Sequence, residues 1–160
     1  MRAKGIVEED FVNYKVPSMF INTCFCDFKC CEELGLDRGL CQNAPLVQAP
    51  IREISDKAIL RHFAGNPITK AVVIGGMEPM LQISELTALI SLFRRSGQDA
   101  PFVIYTGYCP EEIPEQLEKL RHYPNIIVKF GRFVPGQQPH YDELLGVSLA
   151  SDNQYARKIS

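Results

Sequence analysis

Five of the six cysteines in this sequence are crowded into one segment, and thiols at that density bind metals or form redox pairs. They are Cys24, Cys26, Cys30, Cys31 and Cys41, whereas Cys109 stands alone far downstream. In a secreted chain the same crowding would indicate disulfides. The amino-terminal segment MRAKGIVEED turns acidic where a signal peptide has its apolar stretch, so we expect a cytoplasmic chain with reduced thiols. The cysteines therefore predict a metal centre or redox chemistry.

An iron–sulfur cluster is the metal centre that best suits these cysteines. Three thiolates from one loop can bind three irons of a [4Fe–4S] cluster and leave the fourth iron open for chemistry. From Cys24 to Pro50 the sequence is rich in Cys, Gly, Pro, Asn and Asp and has no sustained period. That composition predicts a long functional loop, with a short helical turn at Glu32 to Leu36.

Composition limits the classes of protein to which the chain can belong. Its 160 residues include 17 Lys and Arg against 19 Asp and Glu, and 46% are hydrophobic. We expect a single domain over residues 1–160 with a modest core. The near-neutral charge argues against a direct nucleic-acid partner. No apolar run approaches the roughly 20 residues that cross a bilayer, so no membrane span is expected.

Short apolar runs alternate with longer amphipathic segments along the chain. The predicted strands are Pro17 to Asn22, Ala71 to Ile74, Phe102 to Tyr105 and Ile126 to Phe130. The predicted helices run from an N-cap at Ser55 to about Phe63, from about Ser84 to Arg95, and from Pro114 to about His122. Strands separated by helices indicate parallel crossovers, with ligands at the carboxyl ends of the strands.

These elements predict an α/β fold with a parallel sheet. An eight-unit (β/α) barrel needs about 250 residues, so this chain has room for about half of one. We therefore expect a partial, half (β/α) barrel. The tail from about residue 134 to 160 has weak periodicity and many turn formers, which predicts an irregular arm laid over the sheet or its open face.

Several short motifs follow the predicted strands. Gly75-Gly76-Met77-Glu78-Pro79 ends the second strand, and Tyr105-Thr106-Gly107-Tyr108 closes the third. The other two motifs are the segment from Ile127 to Phe133 and the tail element Ser151-Asp152-Asn153-Gln154. Each is compatible with an ordinary turn when taken alone.

Together with the cysteines, these motifs resemble the radical S-adenosylmethionine enzymes, and among them the activating enzymes of anaerobic ribonucleoside-triphosphate reductase. The family's loop usually reads Cys-x3-Cys-x2-Cys. Cys26 and Cys30 are similar to its first pair, position 33 is Glu33, and Cys41-Gln42-Asn43 is similar to its Cys-x-Asn ending. The other motifs are similar to the family's Gly-Gly-Glu-Pro, Trp-Thr-Gly-Tyr, Val-Asp-Gly-Lys-Phe and Gly-Ser-Ser-Asn-Gln, with Met77 inserted and Phe130 in the place of the Asp.

The resemblance implies a function and a set of site residues. It implies a [4Fe–4S] cluster on Cys26, Cys30 and Cys41, and S-adenosylmethionine bound by residues of the motifs. Those residues are Gly75, Gly76, Glu78, Thr106 and Asn43. The implied activity is generation of a glycyl radical on the large subunit of the anaerobic reductase through a 5′-deoxyadenosyl radical. The electron would come from a small donor such as flavodoxin or ferredoxin.

Alternatives remain open at this point. Cys31, which is adjacent to Cys30, or Cys24 could replace one of the three ligands. The chain could be a different radical enzyme with a small-molecule or another protein substrate. A non-catalytic zinc or iron–sulfur protein is the third alternative; structural zinc usually takes four ligands in paired Cys-x2–4-Cys units, and only one such pair is present.

Overall fold

The computed structural model describes all 160 residues, and its largest element is a six-stranded sheet. The strands are β1 (Arg2–Ala3), β2 (Gly5–Asp10), β3 (Ser18–Asn22), β4 (Arg52–Glu53), β5 (Ala71–Gly75), β6 (Phe102–Tyr105), β7 (Ile126–Phe130), β8 (His140–Asp142), β9 (Val147–Leu149) and β10 (Tyr155–Lys158). The helices are α1 (Lys29–Glu32), α2 (Ala44–Gln48), α3 (Asp56–Gly65), α4 (Ile83–Arg95) and α5 (Pro114–Arg121).

The main sheet has the strand order β10-β7-β6-β5-β3-β2. Its four central strands are parallel and adjacent in chain order, as the alternation of apolar runs and helices predicted. β5 and β7 are buried along their whole length, which explains their continuous Val, Ile and Phe content. The two edges, β2 and β10, run antiparallel to their neighbours and were not predicted.

The longer helices pack on one face of this sheet. α3 contributes Ile59 and Phe63, and α4 contributes a stripe that ends at Phe93. The Phe93 ring lies between Phe63 and Phe102 of β6, at centroid distances of 5.3 and 5.1 Å. Edge-on and tilted contacts of this kind stabilise a core beyond the area that they bury. The helices therefore fix the sheet from one side and leave its other face for a different covering.

The opposite face is covered at the amino ends of the strands by two segments that lie far apart in sequence. Tyr14 from the β2–β3 connection and Leu145 and Leu149 from the carboxyl-terminal arm pack against Val73 and Val103. The arm contains the β8–β9 hairpin and the edge strand β10, so it is more regular than the weak periodicity of residues 134–160 predicted. The carboxyl half of this face stays open.

The sheet is open at both edges, so the structure shows an α/β fold with a mixed central sheet and no closed barrel. No helix is both long enough and apolar enough to cross a membrane.

The cysteine segment differs in detail from the predicted loop. A helical turn was predicted at Glu32 to Leu36. The helix of the structure, α1, lies earlier in the chain, at Lys29–Glu32. Phe28 precedes α1 with a φ of 60°, and Gly35 follows it with a φ of 61°, so left-handed residues set both ends. The short helix α2 was not predicted; Lys4 donates hydrogen bonds to the carbonyls of Val47 and Ala49 at its end.

Candidate functional site

A cavity of about 310 Å³ lies at the carboxyl ends of the parallel strands, on the face away from the long helices. Four thiols line it, those of Cys26, Cys30, Cys31 and Cys41. The chain after β3 reaches this place because backbone hydrogen bonds tie it to the end of β5. The Thr23 amide donates to the Gly75 carbonyl over 2.8 Å, and the Glu78 amide donates to the Phe25 carbonyl over 2.7 Å.

The cavity separates the six cysteines into two groups. Cys26, Cys30 and Cys41, the predicted ligands, are partly exposed within it, and Cys31 is buried at its wall with its Sγ 3.9 Å from that of Cys30. Cys24 is buried outside the cavity, where its amide donates to Gln82. Cys109 is exposed and also lies outside. Cys31 therefore remains a neighbour of the three predicted ligands, whereas Cys24 does not share their cavity.

Burial controls the protonation of the two innermost predicted ligands. It raises the pKa of the Cys26 thiol to about 11 and that of the Cys30 thiol to about 12; neighbouring thiols add to the second shift. Both groups are protonated near pH 7 in the metal-free chain. Metal binding at this site therefore releases protons.

Glu78 is held in a fixed orientation at the wall of the cavity. Its Oε1 accepts hydrogen bonds from the Thr106 hydroxyl over 2.7 Å and the Met80 amide over 3.0 Å, and its Oε2 accepts from the Gly107 amide over 2.9 Å. Burial nevertheless raises the pKa of the carboxyl group. A carboxylate has about four lone-pair sites, so one acceptor position is left after these three bonds.

The two glycines that precede Glu78 have different roles. Gly76 lines the cavity with a φ of +82°, and a Cβ there would lie 2.7 Å from Oδ1 of Asn22. Only glycine adopts this conformation readily, so the turn depends on it. Gly75 ends β5 and does not line the cavity; a Cβ there would meet the Phe20 ring at 3.0 Å. Met77, the inserted residue, is buried and lines the cavity.

Thr106 and Asn43 both line the cavity. The Thr106 hydroxyl donates to Glu78 and accepts from the Tyr108 amide over 3.1 Å, so it positions the carboxylate. Asn43 precedes α2, is exposed and makes no capping hydrogen bond with its side chain. Of the predicted cofactor residues, Gly76, Glu78, Thr106 and Asn43 share the cavity with the thiols.

Lys129 is a cavity residue that sequence reasoning missed. Its side chain is only 6% exposed, and its Nζ donates to the Gly131 carbonyl over 2.8 Å. Burial lowers the pKa of this lysine to about 8, although the Glu78 carboxylate acts in the opposite direction. The signal in the sequence was a single cation inside the apolar run Ile126–Phe130, because such a run predicts a strand buried on both faces.

An ion-pair network joins the cysteine segment to the loops after β6 and β7. Arg132 donates to Glu112 through both terminal nitrogens, over 2.8 and 2.6 Å, and its Nε lies 3.0 Å from Oε2 of Glu33. The hydrogen bond from Arg132 lowers the pKa of Glu112 to about 2. Tyr108 adds a hydrogen bond to Asp27. These contacts fix the segment that carries Cys26 and Cys30.

The donor set fits a cluster better than a single ion. Iron–sulfur clusters are held by cysteine thiolates on separate irons, and four thiols line this cavity. No three Cys, His, Asp or Glu side chains are grouped closely enough to hold one metal ion.

The chain was compared with protein families, curated proteins and solved structures. A family model described as a 4Fe-4S single cluster domain matches residues 18–154, a range that contains the parallel strands and all six cysteines. No curated protein matches the chain, and no solved structure matches it. The match covers most of the chain and agrees with the cavity of thiols. The chain therefore belongs to the family of 4Fe-4S single cluster domains.

Proposed function

We propose that the chain is a radical S-adenosylmethionine enzyme that generates a glycyl radical on anaerobic ribonucleoside-triphosphate reductase. The observation that carries the proposal is the shared cavity of Cys26, Cys30 and Cys41 with Glu78 and Gly76, at the carboxyl ends of parallel strands. Such strand ends are where open α/β sheets bind their ligands. The ordered resemblance of the motifs along the chain supports the same assignment.

The cavity residues would have different roles in such a site. Cys26, Cys30 and Cys41 would hold a [4Fe–4S] cluster, which supplies the one-electron chemistry that this activity needs. Glu78, with one acceptor position free, would accept a hydrogen bond from the amino group of the sulfonium cofactor. Gly76 lets the backbone approach closely, and Thr106 keeps the carboxylate in place.

The partners follow from the activity. The proposal requires the large subunit of the anaerobic reductase as the glycyl-radical protein, and a small electron donor such as flavodoxin or ferredoxin. A cytoplasmic location is part of the proposal. So is a half barrel, in which the open side of the sheet would admit the protein loop that carries the glycine.

A second candidate is a related radical enzyme with a different substrate. The buried cation of Lys129 favours it, because a glycine segment brings no charge to pair with an ammonium group.

The direct test is anaerobic reconstitution of the full chain with iron and sulfide. We expect about four irons per chain. After reduction, S-adenosylmethionine and the purified reductase are added. We then expect methionine and 5′-deoxyadenosine by chromatography and a glycyl radical by electron paramagnetic resonance. Cys109→Ser, which changes a thiol outside the cavity, is the matched control and is expected to behave as the unmodified chain does.

The possible outcomes separate the candidates. Cofactor cleavage without a glycyl radical favours the second candidate. A colourless protein that carries one zinc, or a cluster that binds without any cofactor cleavage, refutes both.

A further inference from the structure

The turn that follows Cys26 directs a backbone amide at the sulfur of this predicted cluster ligand. The Phe28 amide donates to the Cys26 Sγ over 3.3 Å. Phe28 has a φ of 60° and a ψ of 25°, a left-handed conformation that is strained for a residue other than glycine and persists only where its surroundings impose it. Hydrogen bonds to the sulfurs are among the features that set the reduction potential of an iron–sulfur cluster. The turn is therefore placed where it affects that potential.

Asp27, inside this turn, is held from two sides. Its Oδ1 accepts from the Lys29 amide over 3.3 Å, and its Oδ2 accepts from the Tyr108 hydroxyl. Because Asp27 follows Cys26 directly in the sequence, its negative charge lies close to any cluster that Cys26 binds. A negative charge at that place opposes reduction, since the reduced cluster carries one more electron. A hydrogen-bond donor to the carboxylate offsets part of this effect.

Tyr108 is fixed in the position of that donor. Its side chain is buried, its amide donates to the Thr106 hydroxyl over 3.1 Å, and its carbonyl accepts from the Gly131 amide over 3.3 Å. The Lys29 Nζ and the Arg132 guanidinium lie 5.1 and 5.7 Å from the centre of its ring. Tyr108 does not line the cavity, so it acts on a cluster there through the turn and not by contact.

We propose that Tyr108 is a positioning residue that raises the reduction potential of the cluster by holding Asp27 and the turn after Cys26. The inference rests on the part of the proposed function that assigns Cys26 to the cluster. The hydroxyl offsets part of the Asp27 charge, and the fixed turn keeps the Phe28 amide on the Cys26 sulfur. Both effects stabilise the reduced cluster, so they favour the step in which the small donor loses one electron and the cluster gains it.

The test is an anaerobic redox titration of the reconstituted full chain without S-adenosylmethionine, in which electron paramagnetic resonance measures the reduced fraction of the cluster. Tyr108→Phe keeps the ring and removes the hydroxyl. It is expected to lower the equilibrium constant for reduction by about three- to tenfold, where tenfold corresponds to about 59 mV for one electron. Asp27→Asn is expected to raise this constant, because it removes the charge and keeps an acceptor oxygen for Tyr108. Tyr141→Phe, at an exposed tyrosine of β8, is the matched control and is expected to leave it unchanged.

The opposite signs separate this role from a purely structural one. A turn that is only loosened shifts the potential in the same direction in both variants. Equal potentials for the unmodified chain and Tyr108→Phe, or a fall in potential in Asp27→Asn, overturn the inference. Loss of most iron in Tyr108→Phe also overturns it, since the hydroxyl then serves cluster assembly. Far-ultraviolet circular dichroism confirms that each variant is folded.

The same preparations distinguish a failure of the inference from a failure of the proposed function. Both shifts without S-adenosylmethionine cleavage by the unmodified chain support the inference and contradict the proposed function. Cleavage without the shifts contradicts the inference alone. Retention of the cluster in Cys26→Ala, or an unmodified chain that takes up no cluster, contradicts both.

Discussion

At the scale of single residues, the charge on Lys129 has a measurable cost in stability. Its pKa falls from 10.5 to about 8 on folding because burial disfavours the ammonium form. Below pH 8 both the folded and the unfolded chain bind this proton, and the folded chain bears the desolvation. Between pH 8 and 10.5 the unfolded chain binds more protons than the folded one, so the cost disappears as the pH rises.

Lys129→Met should therefore stabilise the cluster-free chain at pH 7, by on the order of 3 kcal/mol, the free energy to which the pKa shift corresponds. The gain should shrink as the pH rises from 8 to 10.5. Anaerobic denaturant unfolding at a series of pH values measures it. Lys119→Met, at an exposed lysine, should stay within about 0.5 kcal/mol of the unmodified chain. A loss of stability in Lys129→Met at every pH would show that the lysine is structurally required.

The thiols differ in what each contributes to cluster binding. Cys26→Ala, Cys30→Ala and Cys41→Ala should each abolish most iron incorporation, because a cluster lacks a ligand without them. Cys31→Ala should retain iron, since Cys31 is buried at the cavity wall beside Cys30. Iron and sulfide content after anaerobic reconstitution is the measurement. Loss of iron in Cys31→Ala together with its retention in Cys41→Ala would transfer the third ligand to Cys31.

At the scale of helices and strands, the sequence predicted the elements that carry their own pattern. β5 and β7 are continuous apolar runs, and α4 has one apolar stripe, so local residues suffice to identify them. The edge strand β2 was missed because its second half is acidic, and β10 was missed because it has four residues, two of them basic. Such edges form on a neighbour that is already in place.

For the candidate site, the sequence identified some of the residues that line the cavity but could not show that they lie together. Cys26, Cys41 and Glu78 belong to motifs that can be read locally, whereas their common cavity depends on tertiary contacts such as the hydrogen bond from the Glu78 amide to Phe25. The placement of Cys24 on the outside and of Lys129 on the inside depends on which face of a strand or loop meets the cavity. Residue type alone does not contain that information.

The turn after β5 contributes Gly76, Met77 and Glu78 to the wall of the cavity. In Gly76→Ala the new Cβ meets Asn22 at 2.7 Å and Leu46 at 3.1 Å, and the φ of +82° is strained for alanine. We expect a loss of about 1–3 kcal/mol in the free energy of unfolding, together with lower iron retention. Gly5→Ala is the control, because a Cβ there meets nothing within 4 Å. Equal stability of the two variants would mean that the turn adapts without strain.

At the scale of the whole molecule, the carboxyl-terminal arm covers part of the face of the sheet that the long helices leave free, at the amino ends of the strands. Leu145 is fully buried against Val73 and Val103, and Gly146 packs on Lys15 of the β2–β3 connection, where a Cβ would meet the Lys15 Cβ at 2.5 Å. The arm thus packs on the sheet and on the β2–β3 connection, and Val147 and Leu149 of its β9 strand line the cavity. Its contribution to stability should come from the apolar burial at these contacts.

Leu145→Ala tests how much the packing of the arm contributes to stability. Removing a fully buried leucine should cost about 2–5 kcal/mol in the free energy of unfolding, because the transfer energy is lost and a cavity remains. Tyr141→Ala, in the same hairpin but with the side chain 63% exposed, should cost no more than about 0.5 kcal/mol. Denaturant unfolding compares the two variants, and iron content after anaerobic reconstitution shows whether a loosened arm affects cluster binding. If both variants lose the same stability, the burial of Leu145 does not stabilise the fold. The cavity must then be maintained by the cysteine segment and the turns that hydrogen-bond to it, without a contribution from the arm.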